Sequence, residues 1–596
     1  MFFCLETEVL HRRRILQILA GTGIGSPLFH RAITAMMDEQ DPLTIDSLKR
    51  AEWITNAPLD DDQRTAILNA VNRNQQQFTA LRTLPLDPAT PPALFFQTVA
   101  KPPSEIKITR NAQPIENAVG LRPNCDEQIA FLPVTELSSL IRSRKISSVE
   151  LTKLYLDRIK KYGPMLRCTV TTTDELAMRQ AEKADAEITA GVYRGPLHGI
   201  PWGAKDLISI PGYPTTWGIP HFKERVLEDT ATVAARLAQA GAVLVAKLSL
   251  GALAMGDMWY GGKTRNPWNP KTGSSGSSAG SASATAAGLV GFSLGSETLG
   301  SITSPAKQCG VTGFRPTFGR VSRHGCMPLS WSMDKIGPIC RSVEDCALVF
   351  DSIHGADGHD ATATDRPFQW PTKQTVAGLK IGYQRSSRNA DRPRPELEIL
   401  KGLGCELVEL GPPPEFENYR TLATIINVEG ASVFDTLLRD GHTEGWNAWE
   451  SIFHSAQFVT AVDYLRLQRL RTQLMKDFED YIRPVDALVN VFEIFHTNLA
   501  GHPSIVLPRE FRELRRGGGH RPIPVTLTGH LNDDERLLFL AHQFQNQLSA
   551  HLKRPELDNW LAQFEAGDLD PKPETESPET EGGSAIKPAP TKPSKK

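Results

Sequence analysis

What this 596-residue chain lacks narrows its chemistry first. Its eight cysteines stand at 4, 125, 168, 309, 326, 340, 346 and 405 with no Cys-x-x-Cys pair, so neither a thiolate metal site nor a disulfide framework is expected. Its 66 basic and 68 acidic residues leave a formal charge of −2. That balance offers nucleic acid or an anionic membrane no bulk attraction, and neither is expected as a partner. Phosphate-binding motifs are missing too. Gly276-x-x-x-Gly280 has neither the lysine nor the spacing of a phosphate loop and is no better as a dinucleotide fingerprint, so no cofactor is expected. There is no His-Glu-x-x-His and no Gly-x-Ser-x-Gly elbow set on a strand–helix turn, and the 15 histidines show no spacing that nominates a Ser-His-Asp triad. A serine hydrolase built on this chain needs another base.

What is present centres on residues 273–316, rich in Gly, Ser, Ala and Thr and almost free of charge. An apolar run over 288–295 in its middle is wrong for a linker. Small residues beside apolar ones suit close backbone packing, and the stretch predicts a buried site where serine hydroxyls and backbone N–H groups converge.

The rest of the chain is read around it. Arg12-Arg13-Arg14 opens into an uncharged run over 15–29, too short to span a bilayer. The pattern resembles a twin-arginine export signal, so 1–35 is expected to be an export segment and the protein exported or periplasmic, otherwise cytoplasmic. Residues 44–84 predict two helices, with Ile67, Val71, Phe78 and Leu81 on one face, followed by a Pro-rich extended belt to 103. Ser147-x-x-Glu150 predicts a capping box for a helix that Gly163 stops, and Asp229-Thr230 predicts a cap for a helix over 231–240 ahead of a buried strand at 242–246. Helix–Gly–strand units of this kind argue for an α/β sandwich. Residues 420–485 predict helix. Beyond about 566 the chain is rich in Pro, Glu, Lys, Ser and Thr, and 566–596 are expected to be a disordered tail.

Ser275-Gly276-Ser277-Ser278-Ala279-Gly280, Thr298-Leu299-Gly300-Ser301-Ile302, Pro305-Ala306, Cys309-Gly310 and Gly199-Ile-Pro-Trp-Gly-Ala-Lys205-Asp206 together resemble the amidase signature family. The likeness continues through 313–322 and 332–338, is strong over 132–355 and is weaker at 497–508 and 524–544. It implies an amidase signature fold over 130–562, with a central mixed β-sheet covered by helices on both faces and no metal. It also implies a Ser–Ser–Lys triad: Ser301 as nucleophile, Ser277 as bridging serine after a cis Gly276–Ser277 peptide, and Lys205 as base. A lysine in a dry, apolar site has a lowered pKa, so it can stay neutral and accept a proton. The backbone N–H groups of Thr298, Leu299 and Gly300 match the family's oxyanion hole. Ser278, Asp206 and Arg320 have counterparts that support rather than react. Met255, Met258 and Trp259 are expected to line the acyl pocket. The chain departs from the family at Glu297 (Asp), Leu299 (Gly) and Thr303 (Arg), which makes the nucleophile turn bulkier.

The resemblance implies hydrolysis of a linear carboxylic amide through an acyl-enzyme, with a small-molecule amide as substrate. The alternative is the A subunit of a tRNA-dependent amidotransferase, which frees ammonia from glutamine. Residues 44–103 weakly resemble the small C subunit of that complex. A catalytically silent binding protein on the same fold is the third reading. Neither the acyl group nor the oligomeric state is legible.

Overall fold

The computed structural model describes residues 43–569 apart from 56–57, 83, 85–91, 95–109, 111, 116–120, 373, 386–392, 412–415, 492–493 and 516–517. The expected export segment, most of the belt and residues 570–596 of the expected tail lie outside the described residues. The tail's first residues do pack, because Leu569 is buried beside Leu557 and Trp560.

Helices α1 (Ile45–Thr55) and α2 (Asp61–Arg82) lead. They are joined by buried Arg64, which binds Glu52 and Asp61 at 2.6 Å each. Ile67 and Val71 of α2 pack with Leu48 of α1, whereas Phe78 and Leu81 join the main core.

Among the described residues, eleven strands form one mixed sheet. In chain order they are β1 (Thr169–Thr172), β2 (Pro201–Lys205), β3 (Val243–Leu248), β4 (Phe292–Glu297), β5 (Thr312–Arg315), β6 (Lys335–Cys340), β7 (Lys380–Tyr383), β8 (Glu406–Glu409), β9 (Ala487–Val489), β10 (Ser504–Glu513) and β11 (His520–Gly529). They lie side by side as β1-β3-β2-β4-β6-β5-β10-β11-β9-β7-β8. β2 runs parallel to both β3 and β4, while β6 is antiparallel to β4. β2, β3 and β6 are buried along their whole length, as strands covered on both faces must be. The parallel pairing has a functional consequence: the C-terminal ends of β2 and β4, carrying Lys205 and Glu297, emerge at the same edge.

The helices depart from expectation at their ends. α3 (Ser148–Leu166) is capped by Ser147, whose hydroxyl accepts the N–H of Glu150 at 3.0 Å. The reciprocal half of the box is absent because the Glu150 carboxylate pairs with Arg122. Nor does Gly163 stop this helix. It runs on through Pro164, and Arg167 ends it in the left-handed region (φ 51°), donating its N–H to the Gly163 carbonyl at 2.7 Å. Gly163 is buried against Ile159, so its small size serves packing. The helix Thr232–Gln239 likewise has no side-chain cap, and the Asp229 carbonyl accepts the Ser209 hydroxyl instead.

α4 (Ala279–Ala286) and α5 (Thr303–Cys309) flank β4. The 420–485 region is helical but broken, with α6 (Thr424–Val433) and α7 (Ala461–Ile482) as its longest pieces. The N-terminal pair is fastened to α7. Arg82 meets Asp463 at 2.7 Å, and Arg466 donates to the carbonyls of Leu81, Arg82 and Leu84. The Ala93 N–H reaches the Gln468 carbonyl at 3.1 Å. No described helix is long and apolar enough to cross a membrane.

Because the Phe78 ring belongs to the main core, Phe78→Ala should cost about 3 kcal/mol of stability. Thermal melting of the full chain checks this. An unchanged midpoint would mean that α2 is not part of the cooperative unit.

Candidate active site

The 273–316 stretch folds as α4, β4, a turn, α5 and β5, and most of it is buried. Small side chains make that possible. The Gly276–Ser277 peptide is cis, and a Cβ on Gly276 would stand 1.8 Å from the Gly256 carbonyl oxygen. A Cβ on Gly280 would stand 2.3 Å from the Cys168 carbonyl oxygen. Hydroxyls buried along α4 are satisfied by backbone: Ser281 donates to the Leu294 carbonyl and Ser283 to the Arg265 carbonyl.

Lys205 ends β2 with its amine inside this fold, fully buried. It donates to Ser277 Oγ at 2.8 Å, Ser296 Oγ at 2.9 Å and Ser278 Oγ at 3.1 Å, with the Ser296 carbonyl at 3.4 Å. Among the described residues no carboxylate pairs with it. Burial lowers its pKa to about 7, while the charges of Asp334 and Glu297 oppose the drop. Ser278 stitches the cluster together. Its hydroxyl donates to the Ser296 carbonyl, and it accepts the Ser296 N–H, both at 3.1 Å.

Half-buried Ser301 stands in the turn between β4 and α5, and its carbonyl accepts the Ser278 N–H at 3.1 Å. The turn around it is held at both ends. The Thr298 hydroxyl donates to Asp334 at 2.5 Å, and Asp334 also accepts the N–H groups of Leu329 and Ser330. Buried Glu297 accepts the N–H groups of Ile302 and Thr303 at 2.8 Å each and the Thr303 hydroxyl at 3.0 Å. Its other oxygen takes Arg315 and Asn498, both at 2.7 Å. Gly300 has φ 93°, a conformation glycine adopts freely. Among the described residues none accepts from the N–H groups of Thr298, Leu299 or Gly300.

Known proteins share both this sequence pattern and this fold. Residues 150–490 match the family described as Amidase. The chain belongs to the amidase family. It is 34% identical to the A subunit of glutamyl-tRNA(Gln) amidotransferase from Roseiflexus sp. (strain RS-1), across 72% of this chain and 98% of the relative. The protein of the same name in Carboxydothermus hydrogenoformans (strain ATCC BAA-161 / DSM 6008 / Z-2901) is 32% identical across 72% and 100%. Among solved structures, the native peptide amidase from Stenotrophomonas maltophilia matches with a TM-score of 0.63 at 26% identity, covering 72% of this chain and 98% of the other.

The other residues singled out in this amidase fall into two groups. Asp206, next to Lys205, binds buried Lys247 at 2.8 Å and accepts the Thr216 N–H at 3.0 Å and its hydroxyl. It braces the end of β2 without touching the serines. Arg320 is placed elsewhere: it lies over the Phe350 ring, near Asp534 and the Pro367 carbonyl, and shares no hydrogen-bond partner with Lys205. The 252–262 segment reaches the corner before Ser277 through the Gly256 backbone, which lies against Gly276, and through the Asp257 carboxylate, which accepts the Ser275 N–H. Of the side chains expected to line the pocket, Met258 is exposed, Trp259 donates to the Arg167 carbonyl, and Met255 packs on the main core. Ser296 belongs to the cluster although no motif marks it. Its place near the end of β4, the strand between β2 and β6, was the available signal.

Asp206 and Lys247 are both fully buried, so Asp206→Ala strands an amine without its carboxylate. The expected cost is about 3 kcal/mol in denaturant unfolding, and a loss below about 1 kcal/mol would mean that Lys247 sheds its proton without penalty.

Proposed function

We propose that this amidase cleaves the C–N bond of a carboxamide through Ser301, Ser277 and Lys205. One observation carries the reading: a buried amine with no carboxylate partner among the described residues and its closest contact, at 2.8 Å, on the Ser277 hydroxyl. A neutral amine has two protons and a lone pair. The Ser278 proton is already engaged with the Ser296 carbonyl, so Ser278 only accepts from Lys205. The lone pair is then left for a hydroxyl such as Ser277.

In the forward step Ser277 gives its proton to Lys205 and takes the proton of Ser301. The Ser301 oxygen adds to the amide carbon, and the oxyanion is received by the N–H groups of Thr298, Leu299 and Gly300. The proton returns through Ser277 to the leaving nitrogen. Water then hydrolyses the Ser301 ester and regenerates the hydroxyl. Neither metal nor cofactor enters any step.

The substrate reading that the curated relatives favour is glutamine, its ammonia passed on as in an amidotransferase A subunit. In that reading α1, α2 and the belt to 103 act as an in-chain counterpart of a C subunit, supported by the fastening of α2 to α7. A free-standing amidase acting on other linear amides is the second reading. The peptide amidase likeness and the Arg12-Arg13 export pattern favour it. Ammonia release by the purified full chain from L-glutamine and from a C-terminal peptide amide separates the two. Turnover of glutamine alone supports the first, and turnover of the peptide amide alone supports the second.

Lys205→Ala should lower kcat by ~10²–10⁴-fold with the fold retained, the range for loss of a positioned base. Circular dichroism and initial rates check it, and undiminished turnover would remove Lys205 from the chemistry. The pH dependence follows from the same group. The protonated amine cannot accept a proton, and its pKa is held near 7, so kcat should climb through about pH 7 and level off on the alkaline side. A profile flat down to about pH 5 would contradict a lysine base.

A further inference from the structure

The bulkier nucleophile turn raises the question of what a glutamate does at 297. We propose that Glu297 is a positioning residue for the nucleophile: its carboxylate locks the turn bearing Ser301 onto β5 and, beside Asp334, adds to the negative charge around Lys205. This rests on Ser301 being the nucleophile.

The geometry is specific. One oxygen collects the N–H groups of Ile302 and Thr303, the residues immediately after Ser301, together with the Thr303 hydroxyl. These N–H groups open α5, where the first donors have no partner within the helix. The second oxygen is tied to Arg315 of β5 and to Asn498. Arg315 is anchored in turn by the His502 carbonyl and Ser504 of β10. One fully buried carboxylate at the end of β4 therefore joins the start of α5 to β5 and to the Asn498 segment. Packing alone needs no such convergence. Thr303 fits the scheme, since its short side chain sends its hydroxyl to the same oxygen as its N–H.

The charges around the carboxylate come from several elements. Arg315 contacts it directly, Lys335 of β6 stands opposite it in the strand register, and Lys307 of α5 feels its charge. Lys335 donates to the Met333 carbonyl, and burial holds both lysines below their ordinary values. On the Lys205 side stand Ser277, Ser278, Ser296 and the Asp334 carboxylate. Burial pushes the Glu297 carboxyl up, but Arg315 and the N–H groups more than reverse this and hold it at about 2, so it is charged throughout the working range. That charge favours protonated Lys205. Removing it moves the lysine's titration to lower pH.

The test is the rate at which a fluorophosphonate probe labels Ser301 in the full-length chain, followed between about pH 5.5 and pH 9. Glu297→Gln should lower the plateau rate by ~10–100-fold, the scale of charge-assisted hydrogen bonds lost, and shift the acid limb to lower pH. A purely structural role would not move that limb. Thr303→Val removes one bond and no charge, so the rate should fall by ~3–10-fold with the limb unmoved, and Thr303→Ser should restore it. If the Gln variant does not fold, the Thr303 pair decides. Labelling by Glu297→Gln or Thr303→Val at the wild-type rate and pH overturns the proposal while leaving Ser301 as nucleophile. A wild-type chain that is not labelled at Ser301 ends the nucleophile reading, and this proposal with it.

Discussion

Everything at this site depends on one amine without a counter-ion in contact. Putting a lysine into a protein interior is costly, and the usual remedy is a carboxylate partner. Lys247, on the neighbouring strand, takes that remedy with Asp206. Lys205 does not. It is given serine hydroxyls and a carbonyl, groups that satisfy its N–H bonds without neutralising a charge. The two lysines lie on adjacent parallel strands and are equally buried, yet only one is tied to a carboxylate. The Asp206–Lys247 pair also removes the one carboxylate adjacent in sequence that could have quenched Lys205.

The topology explains why these groups meet. β2 and β4 are parallel neighbours, so their C-terminal ends deliver Lys205, Ser296 and Glu297 to one edge of the sheet. The serines of the 277–278 corner arrive because 273–286 has almost no side-chain volume and sinks against Gly256 and Cys168. Composition is thus the structural cause. The stretch is Gly-, Ser- and Ala-rich because backbone must lie against backbone, and the hydroxyls of Ser278, Ser281 and Ser283 are tolerated in the interior because they find backbone carbonyls or an N–H.

How much of this was legible in the residues depended on whether a feature is local. The buried small-residue stretch and the α/β architecture follow from composition and element order, whereas the pairing of Ser277 with Lys205 came only with the family resemblance. The errors sit where tertiary partners override local rules. Glu150 was half of a capping box until Arg122 claimed its carboxylate, and Gly163 was a stop signal until close packing gave it another use. Ser296 carried no motif, because its role comes from the strand beside it. Arg320 lies within the matched 313–322 stretch, but in space it stands against Phe350 and near Asp534. Glu297 was legible only as a departure, because its partners are spread along the chain from Ile302 to Asn498.

The turn bearing Ser301 is held from a second side as well, and that hold leads outward. Asp334 grips Thr298 while taking the N–H groups of Leu329 and Ser330. The same loop is grasped by buried Glu429 of α6, which accepts the hydroxyls of Ser330, Ser332 and Tyr464 and the amide of Gln468. Tyr464 and Gln468 belong to α7, and Arg471 of α7 binds Ser332 directly. α7 is the helix to which α2 is fastened by Arg82 and Arg466. A continuous run of hydrogen bonds therefore joins the N-terminal helices to the loop beside the reactive turn. An extension attached only for solubility would have no reason to dock on a helix that braces the site. Its placement argues that the N-terminal segment and the amidase domain are one structural unit.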